Sequence, residues 1–121
     1  GKTGPYLLYS TIRMKSLLNK AELDNYKDIS VLSGNDDKNV ALELLNLPLV
    51  LQKAYRDKSL NEICEYLYRL TSTYNKFYAE NHILTCEDID LKASWLTLTK
   101  IVYNVNILLL DILAIKVPEK M

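Results

Sequence analysis

Apolar residues recur at steps of three and four along most of this chain, the spacing that places them on one face of an α-helix. The steps are cleanest over residues 60–81. There Leu60, Ile63, Cys64, Leu67, Leu70, Thr71, Tyr74, Phe77 and Tyr78 make one continuous stripe. A helix this regular is expected to cross the centre of the structure. A second long ridge, Trp95, Leu98, Ile101, Val102, Val105, Leu108, Leu109 and Ile112, predicts a helix from about 89 to 115. Asp88 and Asp90 put negative charge at its start, where the peptide dipoles favour it. Ser94 falls inside this helix and is expected to face solvent.

The chain opens with a helix predicted from about 5 to 20 or 21. Pro5 suits a first helical position, since its missing N–H costs nothing there and its φ is already set. Leu7, Thr11, Met14 and Leu18 form one stripe, suited to packing inward. Residues 22–37 show no sustained period, and Ser33-Gly34-Asn35-Asp36 is a turn signal that also offers a cap. A helix is expected from 36 or 37, with Val40, Leu42, Leu44 and Leu45 apolar, until Pro48 ends or kinks it. Another runs from 48 to about 56, using Leu49, Val50 and Tyr55. Ser59-Leu60-Asn61-Glu62 has the spacing of a capping box. No strand alternation, internal repeat or low-complexity segment interrupts this pattern. The expected fold class is all-α, a bundle of about five helices, antiparallel where connections are short.

The composition narrows the function. At 121 residues the chain has the size of one domain and can bury a core without disulfides. Only three glycines and three prolines fit long regular elements. Fifteen basic side chains balance fifteen acidic ones, which argues against a general nucleic-acid binder holding many phosphates. It leaves room for a domain that reads a few splayed bases, with weak binding in isolation and a shallow salt dependence. Cys64 and Cys86 form neither a metal pattern nor a disulfide framework, and the expected compartment is the reducing cytoplasm. The longest apolar run, residues 107–115, is too short to span a bilayer and contains Asp111, so no membrane partner is expected. The abrupt start reads as a piece, residues 1–121, cut from the C-terminus of something larger.

No catalytic constellation stands out. His82 is the only histidine, with no nucleophile placed beside it, and no Cys/His spacing suits zinc. The suggestive feature lies in the first helix. Tyr6, Tyr9 and Arg13 fall within one narrow stripe beside the inward one. Two rings and a planar guanidinium suit an unstacked base, giving it a stacking surface and a fork of hydrogen-bond donors. The same spacing also suits half-buried core tyrosines beside a solvated arginine.

Four stretches, in order, are similar to the helical C-terminal anticodon-binding domain of arginyl-tRNA synthetases, the DALR domain. They are Lys2-Thr3-Gly4-Pro5-Tyr6-Leu7-Leu8-Tyr9 with Arg13; Glu65-Tyr66-Leu67-Tyr68-Arg69-Leu70 leading to Tyr74-Asn75-Lys76-Phe77-Tyr78; residues 108–115; and Pro118-Glu119-Lys120-Met121. The chain departs from the family pattern at Leu8, at Ser10-Thr11-Ile12 and at Ala114. The resemblance implies a domain that holds the anticodon loop of arginine tRNA, with the middle anticodon cytosine as its main target. It implies Tyr6, Tyr9 and Arg13 as binding residues on the first helix, Tyr78 and His82 on a second side, and Met121 on a third. It also implies an upstream catalytic domain that uses ATP. That domain's His-Ile-Gly-His and Lys-Met-Ser-Lys signatures are absent here, so no cofactor and no catalysis are expected of this chain alone. A monomer is expected. The competing reading is a helical protein-docking module, or a stand-alone relative of this domain in a tRNA-modification complex, motivated by the neutral charge and nine tyrosines.

Overall fold

The structure is a computed structural model that describes residues 3–21, 29 and 32–113. Among these described residues five helices follow in order: α1 Thr3–Ala21, α2 Asn35–Leu45, α3 Leu47–Asp57, α4 Asn61–Glu80 and α5 Ile89–Ile112. The all-α class and the number of elements agree with the apolar periodicity. Pro5 lies in the first turn of α1, where backbone N–H groups lack intrahelical partners anyway. Only Asn46 separates α2 from α3, and Pro48 sits in the first turn of α3, so this proline breaks one helix and starts the next.

Helix α4 occupies the centre. It packs on α1, α2, α3 and α5, whereas α1 touches only α4 and α5 among the described residues. Its Tyr66, Leu67, Leu70, Tyr74 and Phe77 are fully buried. Facing them are Leu7 and Met14 from α1, Val40 from α2 and Leu96, Leu98, Val102 and Leu109 from α5. A buried aliphatic or aromatic side chain contributes about 1.5–3 kcal/mol, so α4 anchors the bundle. By length and composition α5 could cross a membrane, but it runs through this core with one wide side covered by α1, α2 and α4.

Several local expectations are corrected. Ser94 is buried, because the covered side of α5 is wide and includes Thr99 and Asn106, which apolar periodicity passes over. Ile101, Leu108 and Ile112 consequently lie partly in solvent. Leu42, Leu45, Leu49 and Tyr55 are also exposed, and α3 packs instead through Leu47, Val50, Leu51 and Ala54. The capping box at Ser59 does not form. Leu60 holds the cap position, Ser59 Oγ accepts from Asn61 N, and Glu62 pairs with Lys53 at 3.4 Å. The chain reaches that point through Lys58, whose φ of 50° is left-handed and closes α3.

Buried polar bonds fix how the helices meet. Asp37, 2% exposed, accepts from the Trp95 indole Nε1 at 3.0 Å and from the backbone N of Ser33 and Gly34, tying the start of α2 to α5. Burial pushes its carboxyl up, but these donors, with the Lys38 amide, outweigh that and hold it below the usual carboxylate value. Tyr74 Oη meets Thr99 Oγ1 at 2.9 Å between α4 and α5. Asn106 Nδ2 donates to Thr11 and to Thr71, joining α5 to α1 and α4. Tyr66 Oη donates to the Glu43 carbonyl at 2.6 Å, and burial pushes this phenol up to about 12.

Candidate nucleic-acid interface

The α1–α4 seam is built from matched rows. Tyr6, Ser10, Arg13 and Leu17 recur at steps of four, three and four on α1, and Tyr68, Ser72, Asn75 and Ala79 do so on α4. Asn75 is the hub. Its Nδ2 donates to Tyr6 Oη and to Ser10 Oγ, each at 2.9 Å, and its Oδ1 accepts from Arg13 Nη2. Tyr6 Oη also meets Ser72 Oγ at 3.3 Å, and its ring lies 5.5 Å from that of Tyr68, tilted by 45°. Tyr6 is thus half-buried and held at both its ring and its hydroxyl.

Arg13 is held from two directions. Beyond its bond to Asn75, its guanidinium carbon stands 4.5 Å from the centroid of the Tyr78 ring, a cation–π contact. Its Nε is shielded from solvent and has no hydrogen-bond partner among the described residues. Tyr78 in turn leans toward Tyr74, with ring centroids 6.3 Å apart. Burial raises the Tyr74 phenol well above its ordinary range, so it stays a neutral wall behind the site.

Where α4 ends, the seam opens into a hollow of about 300 Å³ lined by Leu17, Tyr78, Ala79, His82, Leu84 and Thr85 together with Asn81 and Ile83. Asn81 stops the helix in an extended conformation, its Nδ2 donating back to the Phe77 carbonyl. This turns His82 outward at the rim, where it is exposed. Four of the residues expected at a site therefore lie along one seam: Tyr6, Arg13, Tyr78 and His82. Tyr9 stands on the outward side of α1 and is 69% exposed. Met121 lies outside the described residues.

Reading the sequence for rings and charge passed over Asn75, Ser10 and Ser72. The signal was available: Asn75 falls inside the Tyr74–Tyr78 stretch that carries the resemblance, on the row of α4 shared with Tyr68 and Ser72. The geometry offers one free ring on α1, a guanidinium oriented before any ligand arrives, and a hollow with an aromatic wall and polar rim. Together they can take a planar group with hydrogen-bonding edges.

Comparison with known proteins agrees with this picture. A sequence profile for the DALR anticodon binding domain matches residues 7–121. An arginine–tRNA ligase of Francisella tularensis subsp. novicida is 36% identical over 129 residues, covering all of this chain and 22% of that protein. The enzyme of Alkaliphilus oremlandii is 33% identical, over all of this chain and 21% of its own length. A crystal structure described as an arginyl-tRNA synthetase from Campylobacter jejuni superposes with a TM-score of 0.81 at 25% identity, over 98% of this chain and 26% of that one. The chain thus spans about a fifth to a quarter of the length of these relatives. With the profile, the fold and the helix order in agreement, this five-helix bundle belongs to the DALR anticodon-binding domain family.

Proposed function

We propose that this chain is the part of an arginyl-tRNA synthetase that grips the anticodon loop of arginine tRNA. A catalytic domain elsewhere in the same polypeptide would then join arginine to the tRNA end with ATP as co-substrate. The observation that carries the reading is the family match over residues 7–121, on a fold whose α1–α4 seam holds an arginine oriented by the Tyr78 ring and Asn75.

In this reading an unstacked anticodon base leaves the loop and packs on the free ring of Tyr9 or against Tyr78. Each such stacking contact contributes about 1–3 kcal/mol. Arg13 supplies charge and N–H donors without first having to be ordered, because Asn75 and Tyr78 already fix its plane. His82 at the rim offers a second polar edge, and Met121 is assigned a third side by the family pattern alone. Cytosine at the middle anticodon position is the proposed target, selected through its edge hydrogen bonds.

The test is a titration of the chain with arginine tRNA and with a version whose middle anticodon base is changed. The expected result is at least tenfold tighter binding of the first. Equal affinities would refute anticodon reading.

A further inference from the structure

We infer that the outward face of α1 is a second contact surface, one that holds backbone phosphates of the RNA strand whose bases meet the α1–α4 seam. For its partner this inference rests on the anticodon-loop reading above.

Charge carries the argument first. The chain is neutral overall, yet the neutrality is uneven. Of its fifteen Lys and Arg, three lie on α1, while none of its fifteen Asp and Glu does. Among the described residues α1 is the only helix without a carboxylate, and it is also the helix that carries Tyr9 and Arg13. A net charge of zero therefore hides a helix whose charged side chains are all positive, two of them on its outward face.

Geometry carries it further. Ile12, Lys15, Ser16, Asn19 and Lys20 line an open depression of about 480 Å³ along the outer side of α1. Lys15, Ser16, Asn19 and Lys20 are all exposed and offer cations, a hydroxyl and an amide, the side-chain types that contact phosphate oxygens. At 100° per residue Tyr9, Ser16 and Lys20 fall within about 40° of one another, over roughly 16 Å of helix. The Ser16 and Lys20 edge of the depression is therefore in line with the exposed ring, while Ile12, Asn19 and Lys15 lie further round the helix, away from the seam. On its Lys20 side the depression borders the seam, because Lys20 falls about 20° from Arg13 around the helix, two turns further on. A strand with one base at Tyr78 or Tyr9 would lay its following phosphates over Lys20 and then across the depression toward Lys15. Phosphate is the complementary ligand for such a face: it is anionic, repeats along the strand and needs no shaped pocket.

The experiment uses fluorescence anisotropy with the arginine anticodon stem-loop and its middle-base variant, titrated from 50 to 200 mM salt. It compares the wild-type chain, Lys15→Gln/Lys20→Gln and Lys15→Glu/Lys20→Glu. Both positions are exposed, and circular dichroism checks that each variant is folded. The expected result for the glutamine variant is a salt slope lower by about 1.4, so that the ratio of affinities at 50 and 200 mM shrinks about sevenfold. The loss should be the same for both stem-loops, leaving their discrimination ratio intact, and the charge reversal should weaken binding further. An unchanged slope overturns the inference, as does a changed discrimination ratio without a change in slope. Displacement of the stem-loop by poly-glutamate as readily as by tRNA would assign the face to an acidic protein and also overturn it. The outcomes separate the two readings. Wild-type chain that binds both stem-loops equally, with a slope that falls in the variants, sinks anticodon reading and keeps the phosphate face. Discrimination with no change in slope does the reverse, and a wild-type chain that binds neither RNA sinks both.

Discussion

Replacing Asn75 separates what holds the α1–α4 seam together from what makes it bind. Asn75→Ala removes two neutral hydrogen bonds, to Tyr6 and Ser10, and one charged bond to Arg13. Neutral bonds contribute about 0.5–1.5 kcal/mol each and charged ones about 1.5–3. Tyr6 keeps Ser72, and Arg13 is only half-buried, so water recovers part of the loss. The expected cost is about 3 kcal/mol, or roughly a 10 °C fall in Tm for a domain of this size. Asn75→Asp should behave differently. Both partners on the donor side are hydroxyls, which can rotate and donate to a carboxylate, while Arg13 gains an ion pair. Its stability should stay within about 1 kcal/mol of wild type. Yet the new carboxylate cancels the Arg13 charge, so stem-loop affinity should drop several-fold and the salt slope should fall by about one. Urea denaturation followed by circular dichroism, with anisotropy on the same samples, reads both quantities. Asn75 is not the hub of the seam if Asn75→Ala costs less than about 0.5 kcal/mol, or if Asn75→Asp destabilises as much as Asn75→Ala.

Two further outcomes follow from groups outside the hub. Asp37→Ala strands the Trp95 indole N–H and two backbone donors, and should cost about 2–4 kcal/mol by urea denaturation. Because the folded carboxyl lies below its ordinary value of 3.8, its contribution is complete above that pH and is lost as pH falls through the lowered value. Wild-type stability should therefore fall more steeply below pH 4 than that of Asp37→Asn, and parallel curves would contradict the assignment. Tyr9→Ala removes an exposed ring that supports no packing. It should leave Tm within about 2 °C while weakening stem-loop binding by about 1–3 kcal/mol, measured by anisotropy.

The helices were legible in the sequence because packing against α4 imposes a 3.6-residue period that apolar side chains record. Boundaries at Pro5, Pro48 and Asp88 were legible for the same local reasons that act in the fold. What periodicity could not register was polarity taken into the core. Ser94, Thr99 and Asn106 are all buried, and the side chains that bond Thr99 and the Asn106 amide nitrogen sit on other helices, distant in sequence. Asp37 reads as a helix-start acid, and only the fold reveals that Trp95 shares it. At the site, Tyr6 and Arg13 could be picked out as ring and charge. Asn75, which sets the positions of both, looks like any polar residue on a helix until α1 is laid beside α4. Lys15 and Lys20 were obscured differently, since whole-chain charge averages away a one-sided helix.

The placement of α1 has a consequence for biosynthesis. Among the described residues this helix rests on α4 and α5 alone, with nothing from α2 or α3. On the ribosome it is made before any of its supports, and Thr11 waits for Asn106, 95 positions behind it, to emerge. The surface proposed to meet RNA is therefore translated before the helices that seat it, so a chain halted before α5 would leave the tunnel with α1 resting on α4 alone.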